Sequence, residues 1–257
     1  MIPTIGTAII KNPQWVTRLY YSIDYPVENF IIINNNPTGE LYQPLEDLKK
    51  INHSYVKNLH IVHLPGNIGV GGAWNLIIKS NLMSPYWIIT NDDIAFSPGM
   101  LSTIVEKAKD DTIGMIHGNG GDFGIGGYDL FLIKDWVIKQ VGIFDENLYP
   151  AYCEDADYIM RTYLEKIKVG ILDVKYPHGT GFSDEYYLHG SQTGKTSKSI
   201  GDQLDAINLI NFEYMTDKWG AGWRTVSPSL HPFNNPTLPV THTTFDIEYA
   251  RRKFLKI

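Results

Sequence analysis

Two acidic clusters carry the residue types most able to do chemistry. The stretch "WIITNDDIAF", residues 87–96, runs from apolar residues into Asn91, Asp92 and Asp93 and then turns apolar again. Carboxylates are almost never buried unless they are paired or bind a metal. Two acids at the end of a strand can hold Mn²⁺ or Mg²⁺ without a dedicated cage when a diphosphate supplies the other oxygens. Such an ion offsets the charge that develops on a leaving diphosphate. The second cluster is "YCEDADYIMR". Acids are favoured in the first turn of a helix, and Asp157 with Arg161 makes an i,i+4 pair. Glu154, Asp155 and Asp157 together are more acid than capping needs. A carboxylate at a helix start, facing a cleft, can take the proton of an attacking hydroxyl. His178 follows an apolar stretch and opens a glycine-rich turn in "PHGTGF". It is equally open to a structural role and to a metal or diphosphate contact.

These groups need a scaffold. "TIGTAII", "NFIIINNN", "LHIVHL" and "YWIIT" read as buried strands, and helical segments follow them at short spacing, the first opening on Pro13. Such β-α alternation predicts an α/β fold, a mostly parallel central sheet flanked by helices on both faces. In open α/β sheets ligands bind outside the carboxyl ends of the strands. Three successive strands here lead into polar groups: Asn34, Asn35 and Asn36; then "PGNIGVGGAWN"; then Asn91, Asp92 and Asp93. After residue 111 the alternation loosens. Two apolar stretches flank a glycine-rich loop, a helix covers "CEDADYIMRTYLEKI", one or two strands cover "KVGILDVKYPH", and a last long helix ends near Trp219. Residues 181–198 are expected to be a mobile loop that could close over a ligand; Lys195 and Lys198 in it could reach phosphate, though surface lysines are more often solvated.

Composition narrows the class. The chain has 257 residues, 43% of them hydrophobic, enough for one large core. The formal charge of −6 argues against a nucleic-acid surface. The single cysteine, Cys153, excludes an intrachain disulfide framework. No apolar run reaches the ~20 residues that span a bilayer, and the N-terminus lacks a basic leader region. A cytoplasmic protein, at most peripheral to a membrane, is expected. Two nucleotide motifs fail. The dinucleotide fingerprint starting at Gly69 meets Trp74 where a small residue is required, and "GSQTGKTS" is one residue too short for a phosphate-binding loop.

The set "NNNP", "NIGVGGAWN", "TNDDI", "VGIFDENLYPAYCEDADYIMR", "PHGTGFS" and "YMTDKWG" resembles the family 2 inverting glycosyltransferases of GT-A fold, especially their rhamnosyltransferase-like branch. The resemblance implies a GT-A domain over residues 1–220, with a nucleotide-sugar half (1–110), an acceptor half (111–220) and a C-terminal extension (221–257). It implies transfer of a hexosyl group, with inversion, from a UDP-, dTDP- or GDP-linked sugar to a glycan, lipid-linked or protein-linked acceptor, assisted by Mn²⁺ or Mg²⁺. Asp155 would be the base, with Glu154 beside it at the acceptor. Asp93 and His178 would hold the metal, Asn91 standing where the family has its first acid. Thr4, Asn34, Asn36, Asn67, Gly69, Gly72, Asn75, Asn91 and Asp92 would line the nucleotide and donor. The rival readings are a sugar nucleotidyltransferase, which should carry a basic glycine-rich signature after the first strand, and a non-catalytic nucleotide-sugar or glycan-binding domain.

Overall fold

The computed structural model describes residues 1–118, 127–179, 198–225 and 228–240, the side chains of 198–207 and 225 excepted. The loop expected to close over a ligand, with Lys195, lies outside the described residues, as do the end of "PHGTGFS" and the tail from 241.

Seven strands form one sheet: β1 (Ile2–Ile9), β2 (Val27–Asn34), β3 (Val56–His63), β4 (Tyr86–Asn91), β5 (Met115–Gly118), β6 (Gly127–Lys134) and β7 (Val169–Ile171). Their order is β3-β2-β1-β4-β6-β5-β7. β1 pairs in parallel with β2 and β4, β2 with β3, and β5 with β7, while β6 runs antiparallel between β4 and β5. The expected mostly parallel sheet is present. Of the one or two strands expected over "KVGILDVKYPH", one is present: β7, three residues long. Among the described residues beyond it, the chain pairs again at one bridge, Ile94 with His178.

Helices cover both faces. α1 (Pro13–Tyr21), α2 (Tyr42–Leu48) and α4 (Met100–Ala108) pack Val16, Leu19, Leu45, Leu48, Leu101 and Ile104 on one side, against Phe30, Ile32, Ile88 and Leu132. α3 (Gly69–Ser80) and α5 (Asp135–Val141) pack Trp74, Ile77, Val137 and Val141 on the other, against Ile31, Ile33, Trp87 and Phe131. Successive strand residues point to opposite faces, so a strand covered on both sides reads as an unbroken apolar run. α1 begins as its sequence indicates: Asn12 caps it, its side chain accepting from Gln14 N at 3.1 Å, and Pro13 follows.

α6 (Glu154–Leu164) and α7 (Lys198–Trp219) form a third layer, joined through Met160, Met215, Trp219 and Trp223. A buried ionic network locks them. Lys218 Nζ lies 2.6 Å from Asp145 Oδ2 and 2.7 Å from Asp157 Oδ1. Asp157 also holds Arg161 at 2.8 Å and accepts Trp219 Nε1 at 2.7 Å. The i,i+4 pair read from the sequence is present and fully buried, an interior strut.

Candidate active site

The carboxyl edge of the sheet collects most of the expected groups, and the backbone explains how. β4 ends at Asn91. The chain then passes beside Pro177–Gly179, where Ala95 N donates to Pro177 O at 3.0 Å and Gly179 N to Asp93 O at 2.8 Å. This short ladder sets His178 next to Asp93, with Nε2 3.4 Å from Asp93 Oδ1. Arg18, from α1, donates to the backbone carbonyls of both Asp93 and Gly179 and staples the two segments together. Neither Asp92 nor Asp93 caps the following helix. Gly99 precedes α4, and its N–H donates to Asp24 Oδ2 at 2.6 Å.

Asp93 is buried, whereas Asn91 and Asp92 are partly exposed. Burial and the adjacent Asp93 charge push the Asp92 carboxyl well above the usual carboxylate range. Burial alone would lower the His178 imidazole, but hydrogen bonding and charge from Asp93, with Asp129 adding to them, carry it above its ordinary value. Two carboxylates crowding one imidazole suit a site that expects a cation. Among the described residues no group of three His, Cys, Asp or Glu side chains forms a closed metal cage. Asp93 and His178 supply two donors. That fits Mn²⁺ or Mg²⁺ when diphosphate and water oxygens complete the shell.

The glycine-rich turn and α6 meet across this edge. Gly69 adopts φ +77°, and a Cβ there would lie 2.9 Å from Pro150 O. Its neighbour Val70 donates its N–H to that same oxygen at 2.7 Å. Only glycine fits a left-handed position so close to another backbone. Asn67 Oδ1 accepts from Gly69 N at 2.8 Å and shapes the turn, while Gly72 packs beneath Ile68. Tyr152 and Cys153 carry φ of 75° and 74°, an uncommon left-handed pair of side-chain-bearing residues at the entry to α6. Asn211 of α7 holds this entry by donating to the carbonyls of Ala151 and Tyr152, both at 3.0 Å.

α6 then presents two acids in different surroundings. Glu154 is 6% exposed, with Oε2 making no hydrogen bond. Burial and the Asp155 charge hold its carboxyl well above the usual range. Asp155 is partly exposed, and its Oδ1 accepts from Ala156 N at 2.7 Å. Its carboxyl is also raised, by burial. A raised carboxyl at a cleft edge suits a general base. A mostly apolar cavity of about 290 Å³ runs along another face of α6 toward β7, lined among others by His117, Ala156, Met160, Tyr163, Val169 and Trp223; neither Glu154 nor Asp155 lines it.

Several expected donor residues are occupied elsewhere. Thr4 lies in the first half of β1, away from the carboxyl edge, fully buried with its Oγ1 accepting from Asn81 at 2.8 Å. Asn75 is fully buried, and its amide clasps Phe144 N and O, both at 2.9 Å, as well as Glu146. These two are therefore corrected from donor contacts to framework residues. Asn34 contacts His63 Nδ1 at 2.9 Å and accepts from Asn36 N, while Asn36 reaches Ile10 O and Thr38. The triplet member that reaches the glycine turn is Asn35, which donates to Gly69 O at 3.2 Å. Sequence reading also passed over Arg18, Asp129 and Asn211. Of these, Asp129 alone left a signal, as a lone acid inside the apolar run "YDLFLI".

Comparison with known proteins agrees with this architecture. The structure is similar to the mannosyltransferase PcManGT from Pyrobaculum calidifontis, solved with GDP-Man and Mn²⁺, with a TM-score of 0.55 at 14% identity over 66% of this chain and 55% of that one. It is similar to S. aureus TarS 1-349, TM-score 0.55 at 14% identity, covering 87% of this chain and 74% of that one. A galactofuranosyl glycosyltransferase of Leishmania donovani is 24% identical, over 62% of this chain and 52% of the relative, so the chain spans about half the length of that relative. The model of the family described as Glycosyl transferase family 2 matches residues 13–167, more than half of the chain, and the chain belongs to that family.

Proposed function

We propose that the chain transfers a hexosyl group from a nucleoside-diphosphate sugar to an acceptor hydroxyl with inversion of the anomeric configuration. The observation that carries this reading is the pairing of Asp93 with His178, 3.4 Å apart, at the carboxyl edge of a glycosyltransferase sheet. Asp155 takes the proton of the acceptor hydroxyl. The freed oxygen attacks the anomeric carbon from the side opposite the diphosphate. A new carbon–oxygen bond forms as the bond to the diphosphate breaks, and one inversion results. Asn67, Gly69 and the turn they shape lie along the nucleotide, and Asn91 and Asp92 face the donor. Asp93 and His178 would hold Mn²⁺ or Mg²⁺, which offsets charge on the leaving diphosphate.

The donor is proposed to be UDP-, dTDP- or GDP-linked. GDP-Man, UDP and UDP-GlcNAc occur in the complexes of structural neighbours. The resemblance to the rhamnosyltransferase-like branch makes a rhamnosyl donor one candidate, and the curated relative's name makes a galactofuranosyl one another. The acceptor is a glycan, lipid-linked or protein-linked hydroxyl. No helix among the described residues is long and apolar enough to cross a membrane.

A thermal-shift screen of these nucleotide sugars, with and without Mn²⁺, tests the donor, because a ligand of the native state alone raises apparent stability. Transfer by Asp155→Asn tests the base. The variant should bind donor as the wild type does and lose turnover by at least about 10²-fold. Wild-type turnover in that variant would remove Asp155 from the role.

A further inference from the structure

β6 brings a third acid to the metal edge. Asp129 stands one step past the Thr90–Leu130 pair of the antiparallel β4–β6 ladder, level with the end of β4. Its side chain is 8% exposed. A carboxylate in such a place costs several kcal/mol unless its surroundings compensate it. Oδ2 accepts the Tyr176 hydroxyl at 2.7 Å and lies 3.5 Å from His178 Nδ1. Oδ1 is buried and accepts no hydrogen bond.

Tyr176 is itself fully buried, and its place depends on a glycine. A Cβ on Gly118 would sit 2.0 Å from the Tyr176 hydroxyl oxygen. Gly118 makes room for Tyr176, Tyr176 fixes the Asp129 carboxylate, and Asp129 faces one nitrogen of His178. The other nitrogen of that ring faces Asp93. An imidazole held at Nδ1 by a carboxylate presents Nε2 in a defined direction, and such outer partners typically govern metal affinity by about 10–100-fold.

We infer that Asp129, braced by Tyr176, is a positioning residue that aims His178 Nε2 at the cation site shared with Asp93. The inference rests on the metal reading proposed above and adds a residue that does not itself touch the ion.

The test is calorimetric titration of Mn²⁺ into the whole chain with saturating UDP and, separately, GDP. Wild type, Asp129→Asn, Tyr176→Phe, His178→Ala and the Asp129→Asn/His178→Ala double variant are compared. Asp129→Asn should weaken Mn²⁺ binding by about 10–100-fold. Tyr176→Phe should weaken it less and in the same direction, and it carries the test if Asp129→Asn does not fold. In the His178→Ala background, Asp129→Asn should have no further effect, because the two act in series. Wild-type affinity in Asp129→Asn and Tyr176→Phe overturns the inference, as does an undiminished effect of Asp129→Asn without His178. If the wild type takes up no Mn²⁺ with either nucleotide, the metal reading falls and this inference with it, a result distinct from the other two.

Discussion

Lys218→Met is the most demanding test of how α7 supports the site. Lys218 is 1% exposed, and its ammonium sits between Asp145 Oδ2 at 2.6 Å and Asp157 Oδ1 at 2.7 Å. Methionine fills the aliphatic stem, so the principal change is loss of the charge. Removing one partner of a buried ion pair costs about 3–5 kcal/mol, because the other charge stays behind. Asp157 keeps Arg161 and Trp219, and Asp145 keeps Tyr214 and Asn147. That places the expectation at the lower end, about 3 kcal/mol, or a fall of roughly 6–12 °C in Tm for a domain of this size. The sign with pH follows from Asp145. Burial alone would raise its carboxyl, but the Lys218 charge and hydrogen bond lead a set of contacts that bring it down from 3.8 to about 2. A carboxyl lowered by folding stabilises above its unfolded pKa and loses that contribution as pH falls through its folded one. The shift amounts to about 2 kcal/mol, present at pH 6–7 and lost between about pH 4 and pH 2. Thermal and urea unfolding of both proteins at pH 7 and pH 3 measure this. A variant whose Tm stays within about a degree of wild type at pH 7, or whose deficit is undiminished at pH 3, would refute the reasoning.

Two further substitutions separate framework from ligand contact. Gly69→Ala forces a side chain into a left-handed backbone, at about 1–2 kcal/mol, and pushes a methyl against Pro150 O. Nucleotide affinity and Tm should fall together, and an unchanged Tm would show that the turn relaxes freely. Asn75→Ala strips partners from the buried backbone of Phe144 and should cost about 3 kcal/mol in urea unfolding while nucleotide affinity stays within about twofold. Weakened nucleotide binding at unchanged stability would return Asn75 to the donor site.

The fold was legible because its signals are local. Phe30–Ile33 and Trp87–Ile89 are apolar on both faces, as central parallel strands must be, and Asn12–Pro13 announces a helix start. The acids at 92–93 stood out because charge at the end of an apolar run demands an explanation, and those at 154–155 because they exceed what helix capping needs. What stayed hidden is tertiary. Asn75 and Thr4 have residue types that suit a ligand as well as a neighbour, and only the packing of α3 against Phe144, or of Asn81 against β1, assigns their hydrogen bonds. Lys218 looked like an ordinary lysine near a helix end until α7 carried it between two acids. Arg18 gave no sign, since its partners are backbone carbonyls of distant segments.

The bridge between Ile94 and His178 has a consequence for redesign. Main-chain hydrogen bonds and the Arg18 staple, not the side chains of Asp93 and His178 themselves, fix the spacing between positions 93 and 178. The frame is therefore separable from its chemistry. Exchanging Asp93 or His178 for another side chain should leave the spacing of the two positions intact. A proline at residue 95, whose N–H is spent on Pro177 O, would dismantle that spacing while leaving both Asp93 and His178 in the sequence.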